Sequence, residues 1–467
     1  MQSKEKVGTA NIDGTESKPR VFTGRQWIVL ALTGLALAIA VRALDQGLFS
    51  KPNVLLITID TLRADRLGCY GYSRNTSPNL DRIAREGWLF ERCYASSSWT
   101  LPSVMSIHTG LYPFSHGVQW VDRRLSPGVP TLAEMLKDRG YRTGAVESSL
   151  FLGRAFGFDR GFDQFQDKPI HDHRAISSPL LTERALEWLR APTDQPFFYW
   201  IHYLDPHYDY LYHRQSKHLV EGVPPAELEK EYSILELKKT TYSLTDEQYA
   251  WQSQIYDGEV FFTDQHIGRL IQHLEQSGRW DDTWIVVTAD HGELLGEHGG
   301  LGHTPWFYDP VLRVPLIIKP PKRVWKSNRI SDLVSIVDIV PTLLEGLGIR
   351  YDQESFDGIN LLKSRDRLEL PTRWACTKTE EVEFIVRLGT SKYILDTKSD
   401  RAFVFDTSQD PGENENRLEQ QRGPFQEFKQ QVQQLIPAQD REAQETQVDT
   451  ELLDRMKAHG YLGGGGN

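Results

Sequence analysis

Short apolar runs, each closed by an acid, punctuate the first two thirds of the chain. Asn53 to Ile59 (NVLLITI) stops at Asp60, Phe197 to Tyr203 (FFYWIHY) leads to Asp205, and Thr283 to Thr288 (TWIVVT) leads to Asp290. Their length and β-branching suit buried parallel strands. Arg142 to Glu147 and Pro315 to Ile318 read as further short strands. Helical spacing fills the intervals at Ser77 to Glu86, Thr131 to Arg139, Pro179 to Arg190, Gln248 to Gln276 and Asp338 to Leu347. Ser77 stands as an N-cap with Pro78 in the first helical position, and Pro341 starts the last of these helices. Strands alternating with helices predict an α/β fold with a mostly parallel sheet sandwiched by helices. Ligands in such folds bind beyond the carboxyl ends of the strands, where Asp60, Asp205 and Asp290 fall.

From about Arg367 the pattern changes. Thr372 to Thr377, Phe384 to Gly389, Lys392 to Asp396 and Ala402 to Phe405 are short runs with turns between them, which predict a small antiparallel sheet. A Gln-rich helix, Phe425 to Leu435, follows it, and the chain ends in GGGGN. The segment Tyr208 to Leu244 is charged and broken by Pro224 and Pro225, and it reads as an insertion over the site. The expected divisions are 1–50, an N-terminal leader, 51–366, a catalytic domain, and 367–467, a small C-terminal α+β subdomain with a tail.

The leader carries one apolar run, Trp27 to Val41, preceded by Lys4, Lys6, Lys18, Arg20 and Arg25. It predicts an uncleaved membrane anchor with an exported catalytic domain; the rival is a signal peptide cut near Ala40. A net charge of −11 argues against a nucleic-acid-binding surface. The 467 residues include 12 Trp, 18 Tyr and 20 Phe, enough to fill a large core. Cys69, Cys93 and Cys376 show no metal or redox spacing and read as buried thiols.

The stretch SSSWTLPSVMSIHTGLYP raises the question of chemistry. Pro102 predicts a helix starting near it, which puts Thr100 near the N-cap, where backbone N–H groups favour an anion. Thr100 is then either a plain cap or a nucleophile beside an anion pocket. Asp60, Asp290 and His291 offer two carboxylates and an imidazole from strand ends, a set suited to one divalent metal ion with Thr100 completing it. A metal-bound Thr hydroxyl loses its proton more readily. Carboxylates suit Ca²⁺ or Mg²⁺, and the imidazole tilts the set towards Mn²⁺ or Zn²⁺.

From about Lys51 to Leu462 the chain resembles the sulfatases of the alkaline phosphatase superfamily. The likeness lies in NVLLITIDTLRADRLGCYGY, GYRTGAVES, FFYWIHYLDPHYDY, YDGEVFFTDQHIGRLI, VTADHGE, VDIVPTLLEGLGI and FVFDTSQDPGENENRL. The resemblance implies a large α/β domain with a small C-terminal domain. It puts Asp60, Asp290 and His291 on the metal and Thr100 at the nucleophile. It puts His207 where the family has a His on the substrate oxyanion, and His303 where many sulfatases have a Lys at the leaving group.

The departures from the family pattern concern the nucleophile and the metal. Sulfatases carry Cys or Ser in a C/S-x-P-x-R motif for conversion to formylglycine; this chain has Thr100-Leu101-Pro102-Ser103-Val104. Thr61 replaces the second Asp of the usual pair, and His291 replaces the usual Asn. Thr with Asp-His is the pattern of phosphoryl-transfer members of the superfamily. The expected activity is therefore hydrolysis or transfer of a phosphate ester, with a diester favoured, through a covalent Thr100 intermediate. The substrate would be a small-molecule, glycan or lipid-head-group ester. The alternatives are a sulfuric ester hydrolase working without formylglycine, and an inactive binding module. Asp205, His207 and His303 also leave a second metal site open, although the Asp205-Pro206-His207 spacing favours a single metal.

Overall fold

The computed structural model describes residues 25, 31–34, 51–167, 177–207, 210–222, 244–322, 324, 327–363, 371–379, 381–435 and 444–445. Most of the run Trp27 to Val41 and of the segment Tyr208 to Leu244, with the tail, lies outside the described residues. Among the described residues no helix is long and apolar enough to cross a membrane.

The central sheet has eight strands: β1 (Asn53–Ile59), β2 (Trp88–Tyr94), β3 (Arg142–Val146), β4 (Gln164–Gln166), β5 (Phe197–Tyr203), β6 (Thr283–Ala289), β7 (Arg313–Lys319) and β8 (Asn328–Ser335). Their spatial order is β8-β2-β7-β6-β1-β5-β3-β4. β1 pairs in parallel with both β5 and β6, and β3 pairs in parallel with β5 and β4. β7 alone runs against its neighbours β6 and β2. Crossing β7 reverses direction twice, so β2 again points the same way as β1, β5 and β6. All four therefore end on one edge of the sheet.

The three central strands are buried along their whole length. That is why they read as unbroken apolar runs. β2 and β8 were not anticipated. β2 carries Glu91-Arg92 in its middle, and β8 (NRISDLVS) mixes polar and apolar residues without a regular period and is buried only over its last two. Those positions pair at the edge of the sheet, where the β2–β8 register shifts between Ile330 and Leu333.

Among the described residues the α-helices longer than four residues are α1 (Pro78–Arg85), α2 (Thr100–Thr109), α3 (Leu132–Lys137), α4 (Ser178–Arg190), α5 (Asp246–Gln276), α6 (Ile339–Gly346) and α7 (Arg422–Leu435). Capping boxes start α3, from Thr131 and Glu134, and α5, from Thr245 and Gln248. Ser77 precedes α1 as anticipated, but its hydroxyl makes no cap bond. The carboxylate of Asp264 on α5 instead accepts from the N–H groups of Asn79 at 3.1 Å and Leu80 at 2.8 Å. α6 begins at Ile339, so Pro341 sits within its first turn rather than at its start.

The C-terminal meander is present: β9 (Arg373–Lys378), β10 (Glu383–Leu388), β11 (Ser391–Asp396) and β12 (Ala402–Asp406) pair antiparallel in chain order. Phe425, Phe428 and Val432 of α7 pack on this sheet with Trp374 and Tyr393. The expected fold class is thus observed: a large, mostly parallel sheet with helices and a separate small antiparallel sheet. The three cysteines are free, with Cys93 and Cys376 buried and Cys69 half-buried.

Candidate active site

β1 delivers Asp60 and β6 delivers Asp290 and His291 at the shared edge of the sheet. Ligand atoms of these three residues lie within 4.8 Å of one another, and all three side chains are buried. Asp290 Oδ1 accepts from the N–H groups of His291 at 2.9 Å and Thr61 at 3.3 Å. His291 Nδ1 lies 3.0 Å from the Gly292 carbonyl, an acceptor only, so Nδ1 carries the proton. Nε2 then presents its lone pair to the cluster, 3.4 Å from Asp290 Oδ2 and 3.7 Å from Asp60 Oδ1. Those two carboxylate oxygens are buried and have no hydrogen-bond partner. Among the described residues no Lys or Arg pairs with either carboxylate. Two partnerless oxygens and one imidazole lone pair form a donor set that fits a divalent cation.

Electrostatics separates the two acids. Burial pushes both carboxyls up, but for Asp60 the imidazoles of His207, His202 and His291 outweigh it and hold the carboxyl low. For Asp290 burial and the adjacent Asp60 charge win, and its carboxyl is raised. Like charges at this separation repel unless a cation lies between them.

Thr100 enters from β2 through the loop Ala95 to Trp99. The expected helix is there and starts two residues before Pro102: α2 begins at Thr100, next to its N-cap residue Trp99, and no side chain caps it. Thr100 is therefore not an N-cap. It occupies the first turn, where Thr100 and Leu101 have N–H groups without intrahelical acceptors and Pro102 has none to place. Its hydroxyl lies 3.4 Å from His291 Nε2. The loop is fixed from two sides. The Ser103 hydroxyl donates to the Asp290 carbonyl. Thr377 of β9 engages the Ser98 hydroxyl at 2.9 Å and accepts from the Ser98 N–H at 3.0 Å. The small C-terminal sheet thus buttresses the segment that presents Thr100.

His207 and His303 both reach the cluster. The His303 ring lies 4.3 Å from that of His291 and 5.3 Å from that of His207. His303 Nδ1 is 3.0 Å from Glu293 Oε1, and the other Glu293 oxygen accepts from the Tyr210 hydroxyl at 2.6 Å. Glu293, Tyr210 and His202 were missed as functional candidates. Glu293 stood in plain view three residues after Asp290, and His202 is the one imidazole inside the apolar run of β5.

Asp205 does not join. Its carboxylate accepts from the Ser178 N–H at 2.8 Å and the Ser177 N–H at 3.3 Å, and from the Ser178 hydroxyl. It caps α4, and Asp60, Asp290 and His291 are the only such metal-holding group among the described residues. The second metal site of Asp205, His207 and His303 is therefore not assembled. Thr61, where sulfatases carry a second Asp, adopts φ 55 with a buried hydroxyl lacking a partner. Tyr256 holds this strained turn by donating to the Thr61 carbonyl at 2.8 Å and accepting from the Arg63 N–H at 2.9 Å. Gly292 follows His291 for a packing reason: a Cβ there would lie 2.1 Å from the Pro310 carbonyl oxygen.

The sequence model of the sulfatase family matches residues 52–349. The chain belongs to the sulfatase family. By that membership it is a hydrolase of sulfuric or phosphoric esters. It is 26% identical over 416 residues to an N-acetylglucosamine-6-O-sulfatase of Bacteroides thetaiotaomicron, covering 70% of this chain and 73% of that one. It is 24% identical over 432 residues to a choline-sulfatase of Rhizobium meliloti, covering 80% and 84% respectively. Its fold matches the phosphonate monoester hydrolase of Agrobacterium radiobacter with a TM-score of 0.70 at 20% identity, covering 85% of this chain and 100% of that one.

Proposed function

We propose that this sulfatase-family protein hydrolyses or transfers a phosphate ester, with a diester preferred, through a covalent Thr100 intermediate. The observation that carries the reading is the place of the Thr100 hydroxyl. It lies in the first turn of α2, 3.4 Å from His291 Nε2, the atom that itself faces two partnerless carboxylate oxygens. Thr cannot be converted to formylglycine by the route open to Cys or Ser, so this reading takes the unmodified hydroxyl as the nucleophile.

Asp60, Asp290 and His291 would hold one divalent metal ion. Bound there, the ion supplies Lewis-acid charge that favours the Thr100 alkoxide and the developing oxyanion. Thr100 Oγ1 bonds to phosphorus in line with the departing alcohol, and the N–H groups of Thr100 and Leu101 add dipoles for the equatorial oxygens. His303, oriented by Glu293, gives a proton to the leaving oxygen, while His207 contacts the oxyanion. Water or an acceptor alcohol then attacks phosphorus and gives its proton to the now neutral His303, and Thr100 leaves as the alkoxide, which restores the starting state. A sulfate ester of Thr100 lacks the exit that a geminal diol gives formylglycine enzymes and would hydrolyse slowly.

A second charge on a monoester would be poorly offset, since Val104 stands where sulfatases carry Arg; this favours a diester. The substrate class is an ester of a small molecule, glycan or lipid head group. The apolar run Trp27 to Val41 supports an exported catalytic domain, reached by an anchor or by a cleaved signal peptide.

A panel of nitrophenyl phosphate mono- and diesters and nitrophenyl sulfate tests this reading. Diester turnover is expected to exceed sulfate turnover well beyond tenfold, and Thr100→Ala is expected to cost at least about 10³-fold in rate. Fast multiple turnover of the sulfate with inert phosphates would overturn it.

A further inference from the structure

We infer that His202 is a positioning residue of the metal centre, its tautomer set by Thr58 and Trp200. The inference rests on the reading of Asp60, Asp290 and His291 as a metal site. β1 and β5 run parallel with Thr58 directly opposite His202. In a strand, residues two apart share a face, so Thr58 lies on the side of Asp60 and Trp200 on the side of His202. The four side chains form one buried line. The Trp200 indole N–H donates to Thr58 Oγ1 at 2.9 Å. Thr58 Oγ1 lies 2.8 Å from His202 Nδ1, and His202 Nε2 lies 3.4 Å from Asp60 Oδ2. All four residues are fully buried or nearly so.

The directions follow from what each group can do. Indole N–H only donates, so the Thr58 oxygen accepts there and has one proton left to give. Among the described residues the other acceptor at this hydroxyl is the Ile201 carbonyl, at 3.4 Å and so farther than His202 Nδ1. Thr58 therefore donates to Nδ1, and the imidazole carries its proton on Nε2, facing Asp60. A non-titrating indole thus fixes which nitrogen of His202 bears hydrogen. That N–H occupies Asp60 Oδ2 and leaves Oδ1, which has no partner, as the oxygen available to a cation. Without it, the Asp60 carboxylate could rotate or chelate through both oxygens, and the spacing to Asp290 and His291 would be lost. Groups that orient a ligating carboxylate in this way tune metal affinity by about 10–100-fold.

The test uses the full-length protein stripped of metal, titrated with Mn²⁺ while free Mn²⁺ is followed by electron paramagnetic resonance, with Ca²⁺ and Zn²⁺ in parallel. Compared with wild type, His202→Leu is expected to weaken Mn²⁺ binding by about 10–100-fold. His202→Gln, whose amide can still donate to Asp60, is expected to recover part of that loss. Thr58→Val, which keeps shape but removes the hydroxyl, is expected to weaken binding, whereas Thr58→Ser is expected to keep wild-type affinity. Metal-free melts of the two Thr58 variants read the cost of the lost hydrogen bonds on their own, so that a difference between Val and Ser in metal affinity is measured on protein shown to be folded. Wild-type affinity in both His202→Leu and Thr58→Val overturns the inference and leaves the metal centre standing. If His202→Leu does not fold, equal affinity of Thr58→Val and Thr58→Ser overturns it. A wild-type protein that takes up none of the three ions overturns the metal reading and this inference together.

Discussion

The active-site edge and the junction with the small sheet both bury carboxylates, but they balance them differently. At the junction the protein supplies its own cations. Arg373 of β9 meets Asp338 through two nitrogens, at 3.0 and 2.8 Å, with both side chains fully buried. Lys392 of β11, also fully buried, pairs with Asp309 and with Glu413 from the DPGENENRL segment. Glu413 further accepts from the Asp309 N–H, and Tyr94 donates to Asp309 at 3.1 Å. At the active-site edge Asp60 and Asp290 meet imidazoles and, among the described residues, no Lys or Arg, and each keeps a partnerless oxygen. A buried charge without a partner is costly, and a fold keeps it only where something else supplies the counter-charge. The junction is a clasp that holds two substructures together; the edge is a socket whose cation comes from outside.

That contrast can be broken by exchanging the two kinds of site. The largest effect is expected from Asp290→Asn. It should abolish metal-induced stabilisation and activity together, yet raise the stability of the metal-free protein, because it removes the like charge facing Asp60. Thermal melts with and without metal read this directly, and a metal-free variant less stable than wild type would remove the socket half of the comparison.

The reverse is expected at the clasp. Arg373→Met leaves the Asp338 carboxylate buried with backbone N–H partners but no counter-charge, and breaking such a pair costs about 3–5 kcal/mol. Chemical denaturation should show that loss with or without metal. A loss seen only in the metal-free state would mean that the junction and the socket are one unit.

A smaller effect sharpens the comparison by showing where neutral histidines do structural work. His116 accepts from the Val118 N–H at 3.1 Å and lies 3.2 Å from the Pro102 carbonyl in the first turn of α2. Burial lowers it from 6.5 to about 3. His108, enclosed by Trp200, Phe158 and Phe162, is also lowered by burial to about 3. Above the unfolded pKa both states are neutral and their full contribution to stability is present. As pH falls from 6.5 towards 3 the unfolded chain takes up protons that the folded chain refuses, so stability declines. His116→Gln should flatten part of that decline in melts of the metal-free protein; an unchanged slope would show that His116 is not one of the groups responsible.

Much of this was legible in the chain because the signals are local. The strands at Asn53, Phe197 and Thr283 are apolar throughout because both their faces are covered, and the four short runs after Arg367 alternate with turns. Asp60, Thr100, Asp290, His291, His207 and His303 were found by motif, and the fold brings all six to one edge. Asp205 looked the same in sequence as Asp60 and Asp290, an acid after a buried strand. It caps α4 instead, because the first turn of that helix begins where Asp205 emerges. Nothing local to Asp205 records that neighbour.

By itself the sequence determined the layer order, the antiparallel appendix and the identity of the nucleophile candidate. These depend on periodicity, burial and residue type, which each short segment carries alone. Tertiary structure decided which groups serve as partners across long separations. Asp264 caps α1, Thr377 of the small sheet steadies the loop before Thr100, and Glu293 takes up His303. The line from Trp200 through Thr58 and His202 to Asp60 exists only because β1 and β5 pair with Thr58 opposite His202. Hydrogen bonds reach only about 3 Å. Their partners are therefore fixed by register and by where strands end, which no local pattern specifies.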